Sequence, residues 1–138
     1  MNLTFVDSNV LLDIVTSDVT WFKWSSAALE TAYNEGGLCI NPIILAEVSV
    51  TFARIEDGDS ALPLDKFRRL DLPIESAFLA GKAFVDYRNR GGARTSALPD
   101  FFIGAHAAVT NLRLLTRDVR RFHSYFPTVE LICPPNQA

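Results

Sequence analysis

Short hydrophobic runs of strand length alternate along the chain with segments in which apolar residues recur at helical spacing. The runs that predict buried strands are LTFV (3–6), LCI (38–40), DLPI (71–74), LRLLT (112–116) and VELIC (129–133). Strands joined by helical crossovers indicate a parallel sheet with helices packed on both of its faces. The pattern therefore predicts an α/β fold.

Helical spacing occupies most of the remaining chain. The predicted helices cover residues 8–15, 21–37, 43–55, 75–90 and 99–111, with shorter ones within 58–70 and 117–126. Local signals support these boundaries, since Asn41 can cap the third helix and Pro99 suits a first helical turn. No repeat or linker interrupts the alternation, so we expect one domain over residues 1–138.

Composition is that of a folded protein. The 138 residues are 49% hydrophobic and 21% charged. No run approaches the roughly 18 uncharged apolar residues that a membrane span needs, and Asp7 and Asp13 interrupt the N-terminal apolar stretch, unlike a signal peptide. Cys39 and Cys133 form no CxxC pair, so we expect reduced thiols and a cytoplasmic location.

Charge is distributed unevenly along the chain. Residues 1–81 hold 5 Lys or Arg and 12 Asp or Glu, a net −7, whereas residues 82–138 hold 8 and 4, a net +4, which gives −3 overall. The arginines of the second part cluster in two groups: Arg88, Arg90 and Arg94, then Arg113, Arg117, Arg120 and Arg121. Such groups are either solvated faces or contacts to a polyanion such as nucleic acid.

Four acids stand out by their positions. Asp7 directly follows the first strand and Asp118 lies just beyond LRLLT, at the strand ends where α/β folds bind ligands. Glu47 and Asp100 lie in strongly apolar helices. Three of them have a structural alternative: Asp7 as a helix cap, Glu47 reaching solvent, and Asp100 as favourable charge at a helix N-terminus.

Convergence of these acids would give them a chemical role. Unpaired carboxylates that share a site repel one another, and a divalent cation offsets that repulsion. Oxygen ligands without His or Cys favour a hard ion such as Mg²⁺ or Mn²⁺. Hydrolysis of a phosphodiester is the reaction that such a site suits best. His106, within an apolar helix, is interpreted as a core residue rather than a ligand.

The segments FVDSNVLLD, NPIILAEV, LPDFFIGAHA and LLTRD resemble the four acidic motifs of PIN-domain ribonucleases, in order and over essentially the whole chain. The resemblance is nearest to the VapC-type toxins of toxin–antitoxin pairs. It implies a PIN-like three-layer α/β/α sandwich with a central, mainly parallel sheet. It also assigns the catalytic, metal-binding acids, Asp7, Glu47, Asp100 and Asp118, and the supporting polar residues, Ser8, Asn9 and Thr116.

The resemblance further implies an endoribonuclease that cuts single-stranded RNA with Mg²⁺ or Mn²⁺, forms a homodimer and is neutralised by a cognate VapB-type antitoxin. Arg94 and Arg117 are the predicted contacts to the RNA backbone, with a solvated charge as the alternative for Arg94. A catalytically silent PIN-like module that binds RNA or a partner remains an alternative. A phosphoacceptor receiver domain fits poorly, because it places a Lys where this chain has Arg117.

Overall fold

A parallel five-stranded sheet forms the centre of the protein in the computed structural model, which describes residues 2–93 and 97–135. The strands lie in the order β3-β2-β1-β4-β5. Their bounds are β1 (Thr4–Val6), β2 (Leu38–Ile40), β3 (Phe67–Arg69), β4 (Arg113–Leu115) and β5 (Leu131–Ile132). Every pairing is parallel, with Phe5 in register with Cys39 on one side and Leu114 on the other. The predicted α/β class with a parallel sheet is confirmed.

Seven helices connect and cover these strands within the described residues. They are α1 (Ser8–Val15), α2 (Phe22–Gly36), α3 (Pro42–Ser49), α4 (Ile55–Ala61), α5 (Ile74–Asn89), α6 (Leu98–Thr110) and α7 (Arg120–Tyr125). In this part of the chain, no helix combines the length and apolar character needed to cross a membrane.

The core is centred on β1 and its neighbours. Phe5, Leu114 and Ile40 are fully buried, as expected for strands covered on both faces. His106 of α6 is also buried, with its ring edge-on to Phe5 at 4.8 Å between centroids and its Nδ1 3.0 Å from Asn41 Nδ2. These contacts confirm His106 as a hydrogen-bonded core residue.

The segment between β2 and α5 differs from the prediction. The helix predicted over 43–55 ends at Ser49, where the Ser49 hydroxyl donates to the Leu45 carbonyl and the Thr51 hydroxyl to that of Val48. Side-chain bonds of this kind compete with helix continuation. Ile55 instead begins α4 and is 77% exposed, so the segment predicted as one helix over 43–55 contains the end of one helix and the start of another.

The third strand was also misplaced by the sequence pattern. It is Phe67–Arg69, inside the segment predicted as a turn and helix, whereas the predicted strand at 71–74 leads into α5. β3 is an edge strand in which only Phe67 is buried and the two arginines are exposed. A strand with a single buried residue lacks the apolar run that identifies strands buried on both faces.

Candidate active site

Asp7 lies where β1 ends and α1 begins, and its carboxylate is held from both sides. It caps α1 by accepting the Ser8 backbone N–H at 2.7 Å. Its other oxygen accepts the Thr116 hydroxyl at 2.7 Å and the Asn9 amide at 3.3 Å. Thr116 reaches Asp7 because β4 pairs with β1, which brings their carboxyl ends together. Asp7 therefore caps α1 and also lies within a polar site at the ends of β1 and β4.

Glu47 joins this site through Ser8. The Ser8 hydroxyl donates to Glu47 Oε1 at 2.8 Å and lies 3.4 Å from Asp7 Oδ1. A hydroxyl has one hydrogen to donate, and Ser8 donates it to Glu47, the nearer of the two carboxylates. Packing of α1 against α3 brings Ser8 and Glu47 together. Glu47 thus faces the site rather than bulk solvent alone.

Asp100 stands in the first turn of α6 and is paired with an arginine. Nη1 of Arg121, in α7, lies 2.5 Å from Asp100 Oδ2. The same guanidinium lies over the rings of Tyr87 and Phe101, at 5.3 and 5.8 Å from their centroids. In the sequence, Arg121 is one member of a basic group, and nothing local links it to Asp100.

Burial and mutual repulsion define the electrostatics of the acids. The pKa of Asp7 is raised to about 7, mainly by desolvation; the charges of Asp100 and Glu47 add to this shift, and the Thr116 hydrogen bond opposes it. Desolvation likewise raises the pKa of Glu47, against the Ser8 hydrogen bond. The pKa of Asp100 is also raised by burial, against the effect of Arg121. These three acids therefore lie within electrostatic reach of one another.

Asp118 occupies the rim. Asp118 is exposed, and its negative charge contributes to the raised pKa of Asp100. The Asp118 backbone N–H donates to the Thr116 hydroxyl oxygen at 3.1 Å. Of the four predicted acids, the structure brings Asp7, Glu47 and Asp100 together and leaves Asp118 more open to solvent.

Arg117 is tied to the protein by a buried acid. Its Nε and Nη2 lie 2.6 and 2.9 Å from the two oxygens of Asp13, which also accepts the Ser25 hydroxyl at 2.7 Å. Its guanidinium lies 4.9 Å from the Trp21 ring, and its backbone N–H donates to Asn9 Oδ1 at 3.3 Å. This pair fastens the turn after β4 to α1 and α2. The other predicted RNA contact, Arg94, lies outside the described residues.

The oxygen donors of the site fit a hard divalent ion. Carboxylates accompanied by hydroxyl and amide groups are ligands that Mg²⁺ and Mn²⁺ accept. Across residues 2–93 and 97–135, no three His, Cys, Asp or Glu side chains are already arranged to hold a metal ion. Mg²⁺ does not need a complete protein cage, because it keeps several waters and binds through one or two carboxylates plus substrate phosphate. The donor chemistry thus fits such an ion.

The chain belongs to the PIN domain family, whose model matches residues 4–125. This match confirms the family resemblance of the four acidic motifs and the predicted PIN-like fold. A search of curated protein sequences gives no significant match.

Solved structures of low sequence identity share the fold. VapBC2 from Rickettsia felis, crystallised with a DNA fragment from its promoter, matches with a TM-score of 0.71 at 18% identity over 95% of this chain and 98% of that one. FitAcB from Neisseria gonorrhoeae gives 0.71 at 18% identity over 94% and 96%. A toxin–antitoxin complex from Klebsiella pneumoniae gives 0.67 at 22% identity over 91% and 94%.

Proposed function

We propose that this PIN domain is a divalent-metal-dependent endoribonuclease that cleaves single-stranded RNA and serves as the toxin of a toxin–antitoxin pair. The observation that carries the proposal is the burial of Asp7 beside Glu47 and Asp100, which raises its pKa to about 7. Three clustered acids are costly to a fold unless a cation compensates them. A bound cation would offset the repulsion between the acids, and the acids would then hold that cation for catalysis.

The proposed role of each site residue follows from its position. Asp7 and Asp100 would bind the divalent ion directly, and Glu47 and Asp118 would hold waters around it or a second ion. Thr116, Asn9 and Ser8 orient the carboxylates through the hydrogen bonds described above. Such supporting bonds tune both ligand geometry and affinity.

The reaction is hydrolysis of the RNA backbone. A divalent ion bound here would supply activation of water and neutralisation of the charge that develops on phosphate oxygens. The water oxygen bonds to phosphorus, the P–O3′ bond breaks, and a proton passes to the 3′ oxygen. The products are a 5′-phosphate and a 3′-hydroxyl, because water is the nucleophile and the P–O3′ bond is the one that breaks.

Arginines at the edge of the site are proposed to contact the RNA backbone. Arg117 follows Thr116 directly, and its side chain is 26% exposed although two of its guanidinium nitrogens bind Asp13. It would reach a phosphate through its remaining Nη1 side. Arg94 has the same proposed role on the strength of its sequence position before Asp100.

A VapB-type antitoxin is the proposed partner. The VapBC and toxin–antitoxin structures that share this fold support that proposal. An antitoxin arginine would find carboxylates suited to its planar fork. A homodimer is also proposed, and the exposed face of α5 formed by Ile74, Phe78 and Val85 supports it, since these lie on one side of the helix at helical spacing.

Cleavage by purified protein tests the proposed activity. Antitoxin-free protein is incubated with a panel of tRNA, rRNA and mRNA fragments in Mg²⁺, in Mn²⁺ and in EDTA. We expect cleavage with either ion, none in EDTA, and ends bearing 5′-phosphates. RNA binding without cleavage under all three conditions would instead favour the silent PIN-like module.

A further inference from the structure

Arg121 places a positive charge directly on one of the four acids. The Asp100 and Arg121 side chains remain 29% and 19% exposed, although Nη1 lies only 2.5 Å from Oδ2. A ligand that approaches Asp100 from solvent therefore meets Arg121 as well.

Aromatic rings hold this guanidinium in place. Its carbon lies 5.3 Å from the ring centroid of Tyr87 and 5.8 Å from that of Phe101. The two rings pack on each other with centroids 5.4 Å apart, so they form a single support. Cation–π contacts of this kind are worth about 0.5–1 kcal/mol at exposed sites and restrain an otherwise flexible side chain. The charge is thus positioned before any ligand arrives.

The acids alone would repel RNA. Four ionised carboxylates outweigh one divalent ion, and the remaining negative charge opposes an approaching phosphate. A guanidinium has five N–H donors in a fork that matches phosphate oxygens. Arg121 bonds Asp100 through Nη1, and within the described residues its Nε and Nη2 make no hydrogen bond. Those donors can serve a second anion.

We propose that Arg121 binds an RNA phosphate beside the divalent ion and thereby couples ion binding to RNA binding at Asp100. The inference rests on the proposed nuclease function and adds a phosphate-binding residue to it. Without RNA, the guanidinium competes with an incoming cation for Asp100 and repels it. With RNA, the same charge attracts the phosphate, so ion and RNA favour each other's binding.

Three variants separate this role from a structural one. Arg121→Gln removes the charge, Arg121→Lys keeps the charge without the fork, and Arg120→Gln removes a charge from an exposed neighbour on the same helix. For each, melting temperature is followed against Mn²⁺ concentration without RNA. Cleavage kinetics are then measured on a single-stranded oligoribonucleotide that the wild type cuts, with circular dichroism to check the fold.

We expect Arg121→Gln to lose about 100-fold or more in cleavage, as for removal of one donor to a developing anion. In the absence of RNA it should reach half-saturation at several-fold less Mn²⁺ than the wild type. Arg121→Lys should cleave at an intermediate rate, and Arg120→Gln should match the wild type in both assays.

Several results would overturn the inference. Wild-type cleavage by Arg121→Gln would exclude a phosphate contact, and a higher Mn²⁺ requirement would make Arg121 only an orienting partner of Asp100. If Arg121→Gln does not fold, Arg121→Lys decides, and unchanged kcat and KM in that variant would contradict the role of the fork. A wild-type protein that shows neither cleavage nor a Mn²⁺ response would refute the proposed function itself.

Discussion

Thr116 Oγ1 donates a 2.7 Å hydrogen bond to Asp7 Oδ2 and so joins the ends of two neighbouring strands at the site. Both residues are buried, and this bond lowers the pKa of Asp7 against the effect of burial. The bond therefore keeps Asp7 closer to the ionised form that a cation needs.

Thr116→Val tests this bond by removing the hydroxyl while keeping the shape of the side chain. We expect destabilisation of about 1–3 kcal/mol, because the buried Asp7 carboxylate loses a donor. The melting-temperature gain on adding Mn²⁺ should also shrink. Thr116→Ser is the matched control, since it restores the donor. If the valine and serine variants responded equally to Mn²⁺, the bond would have no part in ion binding.

The pH dependence of stability reports on Asp7. Its pKa is raised to about 7, so the folded protein holds this proton more tightly than the unfolded chain does. Stability must then fall as pH rises from the ordinary Asp range towards 7, by up to about 3 kcal/mol between pH 5 and 8. Urea unfolding in EDTA at the two pH values measures the loss.

Asp7→Asn is the control for that measurement. Asn caps a helix about as well as Asp, so α1 should survive. The variant should be at least as stable as the wild type at pH 8 and should lose less stability between pH 5 and 8. Some dependence remains, because the pKa values of Glu47 and Asp100 are also raised. Equal losses in the two proteins would contradict the environment described for Asp7.

Salt dependence of RNA binding tests Arg117. Arg117→Gln removes the guanidinium. Asp13→Asn weakens the same ion pair but leaves the guanidinium in place. If Arg117 contacts a phosphate of single-stranded RNA, the negative slope of log K against log salt should become shallower by about 0.7 in Arg117→Gln alone. Equal slopes in both variants would assign Arg117 to fastening the turn after β4 and nothing more.

Sedimentation of two surface variants tests the proposed homodimer. Phe78 is 71% exposed on α5, and Val19 is fully exposed in the turn before α2. A charge on the dimer face should disrupt association, so Phe78→Glu should sediment as a monomer and Val19→Glu as the wild type does. A monomeric wild type, or a dimeric Phe78→Glu, would contradict the assignment of this face.

The sequence pattern predicted the elements that depend on local burial and capping. β1 was predictable because its residues are buried on both faces, and α1 because Asp7 caps it directly. β3 was not, since an edge strand with one buried residue carries no apolar run. The acids were predicted from their positions at strand ends and in apolar helices.

The sequence pattern did not predict ion pairs between residues that are far apart along the chain. Arg121 and Asp100 are 21 positions apart and meet because α7 packs on α6. Asp13 and Arg117 are 104 positions apart and pair because β4 lies beside β1. Partners of this kind depend on tertiary packing, which spacing along one chain does not encode.

Melting with and without Mn²⁺, in wild type and Asp7→Asn, tests the ion site most directly. Binding to the folded state stabilises it by RT ln(1 + [L]/Kd), or about 2.7 kcal/mol at 100 times Kd. In millimolar Mn²⁺ the wild type should melt at a higher temperature than in EDTA, and Asp7→Asn should gain markedly less. A wild type that gains nothing, or a variant that gains as much as the wild type, would contradict a divalent-ion site at Asp7.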